Sequence, residues 1–151
     1  MILIVDSREQ KPYSEYFEKL KYKHELENLK VGDYSIRGYP GFAIERKELN
    51  DFIHSITVDR ERFEKELLKA QKLEYFAVII ECTIYDIENR RYRSKIHPHS
   101  VLSTIFHWNI KYKIPFLFVE SRTGGALAVI EMSKAYLKYQ SDNNDQYQAD
   151  I

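Results

Sequence analysis

Gly32-Asp33-Tyr34, Glu45-Arg46-Lys47 and Asp51 place two carboxylates, an ammonium and a third carboxylate within one short stretch of this chain. Hydrolysis of a phosphodiester needs such groups: hard oxygen ligands for a divalent cation and a positive group to orient water and offset charge. Along a strand, residues two apart share a face. Phe42 to Lys47, read as a strand, therefore points Ala43, Glu45 and Lys47 one way and Phe42 and Ile44 the other, toward a core. Asp33 and Glu45 are the expected ligands of a Mg²⁺ or Mn²⁺ ion, whose remaining positions stay open to water and substrate. Without the cation the two carboxylates repel, so at least one pKa is expected to rise. Lys47 is expected to orient the attacking water and offset transition-state charge rather than act as a base. Asp51, one helical turn beyond Lys47, could bind a second metal or fix Lys47 or Arg46, and the sequence does not choose among these.

The elements that must position these groups follow from periodicity and turn chemistry. Ile2 to Val5 suits a buried strand ending at the charged cluster Asp6-Ser7-Arg8-Glu9. A short helix is expected over Ser14 to Leu20 and a strand over His24 to Leu29. Tyr34 to Arg37 and Phe42 to Lys47 form a hairpin through Gly38-Tyr39-Pro40-Gly41, which brings Asp33 near Glu45 and Lys47. Helices are expected at Glu48 to Ser55 and Asp59 to Leu73, the second with Asp59 as N-cap and Phe63, Leu67 and Ala70 at helical spacing. Tyr75 to Cys82 is the candidate central strand, and Asp86 to His99 an exposed basic loop. Val101, Ile105, Trp108 and Tyr112 stripe a helix over Val101 to Lys113, Pro115 to Val119 is another strand, and a final helix covers Thr123 to Tyr139 after a turn at Gly124-Gly125. Alternating strands and helices make the class α/β.

The order of these motifs is similar to a known family. Asp6-x-Arg8-Glu9, Gly32-Asp33, Glu45-Arg46-Lys47-x3-Asp51 and the following Ser55-Ile56 to Arg62-Phe63 resemble the nuclease domain of the XPF-type structure-specific endonucleases, over most of residues 1 to 140. The resemblance implies a restriction-endonuclease-like fold, a mixed β-sheet flanked by helices. It also implies Mg²⁺- or Mn²⁺-dependent incision of branched or junction DNA, with attack in line with the leaving 3′ oxygen and 5′-phosphate products. By resemblance, Asp33, Glu45, Lys47 and Asp51 map onto the catalytic signature with Arg46 between them, and Asp6, Arg8 and Glu9 are active-site neighbours. Two features depart from the pattern. No Gly precedes Arg62 and Glu66 stands where many relatives carry Gln, so DNA contact there is expected to differ. No Gly-hydrophobic-Gly pattern supplies the tandem helix-hairpin-helix module of typical relatives, so the chain is expected to be a solitary nuclease domain. A non-catalytic DNA-binding or scaffold module of the same fold, or a subunit active only with a partner, are the alternatives.

Other residues bear on DNA and assembly. Arg62 is a candidate phosphate contact on an otherwise solvated helix face, and Arg90, Arg91, Tyr92, Arg93 and Lys95 could combine backbone contacts with base stacking or be an ordinary charged loop. His97 and His99 have metal-pair spacing without a third ligand, which favours loop or N-cap roles. Leu127, Ile130 and Leu137 could form a homodimer contact or pack in the chain's own core. With 151 residues and 44% hydrophobic content, one domain is expected, and a formal net charge of +0 means any DNA surface comes from local clustering. The domain is expected to end at residue 140, with a disordered acidic tail over 141–151. The single cysteine, Cys82, reads as a buried strand thiol. The opening apolar run is too short for a signal peptide or membrane span, so a soluble intracellular protein is expected, in cytoplasm or, if eukaryotic, nucleus.

Overall fold

The computed structural model describes residues 1–149. Six strands form one mixed sheet: β1 (Leu3–Asp6), β2 (His24–Glu27), β3 (Tyr34–Ile36), β4 (Tyr39–Glu48), β5 (Tyr75–Glu81) and β6 (Phe116–Phe118), in the order β2-β1-β3-β4-β5-β6. The strand pair β3–β4 is antiparallel, as is β1–β3, while β1–β2, β4–β5 and β5–β6 are parallel. Six helices cover the sheet: α1 (Ser14–Lys19), α2 (Leu49–Ile56), α3 (Arg60–Ala70), α4 (Ile84–Glu88), α5 (Pro98–Tyr112) and α6 (Arg122–Ala149). This is the expected mixed sheet flanked by helices on both faces.

Two cores follow from the strand alternation. Phe42, Ile44 and Ile79 pack with Tyr13 and Phe17 of the α1 region and with Ala126, Val129 and Ile130 of α6. On the opposite face, Ala43, Val78 and Ile80 pack with Phe52, Phe63, Leu67, Ile105 and Trp108 of α2, α3 and α5. The sequence sent only Phe42 and Ile44 of β4 inward. Both faces are in fact covered at that level, and burial on two faces is why β5 reads as an unbroken apolar run. Burial pushes the Cys82 thiol up to about 12, so it is a buried, inert thiol, placed just past the end of β5 and not within the expected strand.

Several local expectations differ from the structure. The hairpin turn is tighter than Gly38 to Gly41, because β4 already begins at Tyr39 and Gly38 takes a φ of +84°. Asp59 stands at the N-cap position of α3 without capping it, since its carboxylate is drawn to Arg62. The segment expected as a loop from Asp86 overlaps α4, closed by a capping box between Thr83 and Asp86. His97 caps α5 through Nδ1, which accepts the His99 N–H at 3.1 Å. Leu127 is exposed and Ile130 lies in the chain's own core, so that stripe is split between solvent and interior. Over 141–149 the chain continues α6, with mostly exposed side chains over 141–148, where a disordered tail was expected; Asp150 and Ile151 of that tail lie outside the described residues.

Gly124 and Gly125 lie inside the first turn of α6 and not in a turn before it. A Cβ on Gly124 would overlap the Val119 carbonyl oxygen, a backbone atom that cannot rotate away. Alanine normally favours a helix over glycine by about 1 kcal/mol, yet Gly124→Ala is expected to destabilise by about 1–3 kcal/mol as overpacking. Urea unfolding gives the sign directly.

Candidate active site

Asp33 is held by the strands on either side of it. Its N–H donates to the Ile44 carbonyl at 2.8 Å and its carbonyl accepts the Asp6 N–H at 2.7 Å. Gly32, with φ +78°, makes the turn that delivers it, and a side chain there would press on Ala43 and the Ile44 carbonyl. The Asp33 carboxylate extends the ladder where β3 begins: Oδ2 accepts the Arg46 N–H at 2.8 Å.

Asp33, Glu45, Lys47 and Asp51 line one open cleft of about 490 Å³, together with Glu9, His54 and Arg62. Glu45 and Lys47 emerge from the same face of β4, and Asp51 stands in the first turn of α2. Lys47 Nζ lies 3.7 Å from Glu45 Oε1 and 5.0 Å from the centre of the Phe63 ring. Phe63 thereby supports the ammonium from α3, a cation–π contact the apolar spacing alone had read as core. Burial, and then the nearby Glu9 charge, lift the Asp33 carboxyl to about 7. Burial and the Asp33 charge hold the Glu45 carboxyl well above its usual range, against the pull of Lys47. The rise expected of at least one of the two carboxyls is present in both, with burial as the larger cause.

Among the described residues, no three or more Asp, Glu, His or Cys side chains converge as a metal cage. Two carboxylates with raised pKa values, facing an open cleft, fit an ion that takes few protein oxygens and keeps its waters.

The neighbouring charges serve a different purpose from the one their types suggest. The Arg46 guanidinium turns to the other face of β4, where Nε and Nη2 donate to Glu9 at 3.2 Å each and Nη1 donates to Glu81 at 2.6 Å. All three side chains are under 10% exposed. Asp51 thus does not fix Arg46, and among the described residues its carboxylate has no ion-pair partner. Asp6 is buried and accepts from Arg8 at 3.1 Å and from the Leu29 N–H at 2.9 Å, which ties β1 to the segment before Gly32. Glu81 was missed by motif spacing. The signal that finds it is a carboxylate closing an apolar strand run, the same signal that marked Asp6.

Arg62 stands on the cleft rim, where its guanidinium is engaged by Asp59 and, at 3.7 Å, by Glu66. The basic segment lies apart from the cleft lining. Arg90, Arg91, Arg93 and Lys95 are exposed, with Arg91 paired to Asp86 at 2.9 Å. Tyr92 differs from its expected stacking role: its ring is buried in the core and its hydroxyl donates to the Ile96 carbonyl at 2.8 Å, leaving no face for a base. The Arg93 N–H donates to Asn50 Oδ1 of α2, which docks this segment beside the residue preceding Asp51.

The family model described as the ERCC4 domain matches residues 5–127. Among solved structures, XPF from Aeropyrum pernix matches with a TM-score of 0.74 and 22% identity, covering 90% of this chain and 61% of that one. A second structure, XPF from Aeropyrum pernix in complex with DNA, matches with a TM-score of 0.72 and 22% identity, covering 91% and 65%. The chain thus spans less than two thirds of the XPF chains it matches. No curated protein sequence matches it. Among the described residues no helix is long and apolar enough to cross a membrane.

Proposed function

Because the chain belongs to the ERCC4 domain family, we propose that it is a metal-dependent DNA endonuclease that hydrolyses phosphodiester bonds in branched or junction DNA. One observation carries the reading: Asp33 and Glu45 face one cleft with both carboxyl pKa values raised, chiefly by burial, and with Lys47 at the second of them. Buried like charges of this kind are costly unless a cation is to be held there.

Asp33 and Glu45 would hold Mg²⁺ or Mn²⁺. When bound, the ion supplies a more acidic water and relief of charge on the phosphoryl oxygens. Lys47, braced by Phe63, directs its N–H donors into the cleft to orient the attacking water and meet the charge that grows in the transition state. Asp51, exposed and among the described residues without an ion-pair partner, would accept a hydrogen bond from a water or coordinate a second ion. Arg46 acts through its backbone, as the donor that sets the Asp33 carboxylate, while Asp6, Arg8 and Glu9 hold the surrounding chain. The DNA would follow the cleft rim at Arg62 and the exposed Arg90, Arg91, Arg93 and Lys95 beside α2, and that this chain binds DNA at all is supported by its likeness to an XPF structure in complex with DNA. The unit that does this spans residues 1–140 and acts inside a cell, alone, as a homodimer or with a DNA-binding partner subunit.

The deciding experiment incubates purified protein with 3′-flap, fork and linear duplex DNA in Mg²⁺, Mn²⁺ or chelator, alongside Glu45→Ala. Cleavage of the branched substrates, lost with chelator and with Glu45→Ala, is the expected result. Cleavage that survives either change overturns the metal mechanism. Binding without cleavage under any metal replaces the enzyme with a scaffold, and equal cleavage of all three substrates removes the preference for junctions.

A further inference from the structure

Arg46 is pinned by two buried carboxylates, and the one contributed by β5 stands outside the Asp6-x-Arg8-Glu9 and Glu45-Arg46-Lys47-x3-Asp51 motifs. Glu81 closes β5 opposite Glu48 of β4. One of its oxygens accepts Arg46 Nη1 at 2.6 Å, and the other accepts the Tyr13 hydroxyl at 2.7 Å. Tyr13 is itself fully buried, stacked on Tyr34 at 5.1 Å, with its N–H donating to the Tyr34 hydroxyl at 3.0 Å. Arg122 of α6 fixes the loop before Tyr13 by donating to the Lys11 and Pro12 carbonyls at 3.0 and 3.1 Å. The polar atoms of Glu81 therefore cannot drift, and neither can the guanidinium between Glu81 and Glu9.

That rigidity matters because of where the Arg46 backbone sits. Its N–H is the donor that orients Asp33 Oδ2. The residues on either side of Arg46, Glu45 and Lys47, point into the cleft from the opposite face. A guanidinium locked on one face of β4 fixes the roll of the strand, and with it the amide aimed at Asp33 and the side chains of Glu45 and Lys47.

We propose that Glu81, steadied by Tyr13, is a positioning residue. It locks Arg46 so that the Arg46 amide holds the Asp33 carboxylate in the geometry needed to bind a divalent cation. The structural half of this stands by itself, and the cation half rests on the endonuclease reading. Partners that orient metal-binding side chains from behind commonly change metal affinity 10–100-fold when altered.

Two shape-conserving variants test it, Glu81→Gln and Tyr13→Phe, with the metal-free protein followed by amide exchange in NMR and then titrated with Mn²⁺ alone. In Glu81→Gln the Arg46 amide is expected to exchange at least about tenfold faster while the Val78 amide, bonded to the Pro115 carbonyl, keeps its rate, and Mn²⁺ affinity is expected to fall about tenfold. Tyr13→Phe moves both in the same direction by a smaller factor. Unchanged Arg46 exchange in both variants overturns the positioning role, and so does a rise in exchange shared equally by Val78, which reports general loosening. Faster Arg46 exchange with undiminished Mn²⁺ affinity also overturns it, because Asp33 then binds without the lock. If the unaltered protein takes up no Mn²⁺, the endonuclease reading fails, and the Arg46 amide alone still decides whether Glu81 holds the strand.

Discussion

Lys47→Met is expected to lower the rate of DNA cleavage by about 10²–10³-fold, the size of effect seen when a preorganised group facing transition-state charge is removed. The expectation comes from placement. Lys47 is partly enclosed, 3.7 Å from a Glu45 oxygen and 5.0 Å from the Phe63 ring centre, so its ammonium is already aimed and partly stripped of water before substrate arrives. Methionine keeps most of the stem packed on Phe63 and deletes only the charge. Loss of a cation beside two carboxylates strengthens their hold on another cation, so Mn²⁺ affinity should stay the same or rise while cleavage collapses. That split separates Lys47 from Glu45, whose replacement should reduce both. Single-turnover cleavage and an Mn²⁺ titration on the same preparation measure it, and a cleavage loss under about tenfold removes Lys47 from the chemistry.

Much of this site was legible in one dimension because its parts are local. Asp33, Glu45, Lys47 and Asp51 belong to a single strand–strand–helix unit, and the alternation of a strand puts Glu45 and Lys47 together whatever surrounds them. The apolar runs and helical stripes gave the alternating elements, with Val101, Ile105, Trp108 and Tyr112 all buried on α5. What escaped was set by contacts distant in sequence. Glu81 and Tyr13 meet Arg46 only once β5 is aligned beside β4 and the loop after β1 folds over it. Tyr92 lies between arginines, so its neighbours suggest a nucleic-acid surface. Its phenol nevertheless finds a carbonyl acceptor four residues on, and the ring adds apolar area to the core. Asp59 has the right type and place for an N-cap, but a guanidinium three residues later competes for the same oxygens. The stretch 141–149 is polar enough for a tail, and there the chain continues a helix already nucleated by the packed part of α6.

The acidic pair that makes the site also weighs on the fold, and Asp33→Asn should expose this. The Asp33 carboxyl is raised from 3.8 to about 7 in the folded chain, mainly by burial and the Glu9 charge. A carboxyl with a raised folded pKa binds its proton more tightly when folded. Its contribution to stability is therefore complete below the unfolded pKa, near 4, and is lost as pH rises through about 7. The metal-free protein should thus lose stability between about pH 4 and 8, because folding then buries an ionised Asp33 carboxylate near the Glu9 charge. Asparagine keeps the shape and, through Oδ1, the acceptor for the Arg46 N–H, while removing the charge. At pH 8 in chelator, Asp33→Asn is expected to be more stable by on the order of 2 kcal/mol, a rise of about 4–8 °C in Tm, and the advantage should vanish near pH 4. Saturating Mn²⁺ should reverse the order, since it stabilises only a chain that binds it. Mn²⁺ affinity of the unaltered protein should likewise climb with pH through about 7, as binding displaces the proton held by the pair. Thermal melts at pH 4 and pH 8, with and without Mn²⁺, contain the whole comparison. A variant no more stable than the parent at pH 8 would mean that the ionised Asp33 carboxylate is not disfavoured in the folded chain. The cleft would then lack the stored charge that makes a cation its natural occupant.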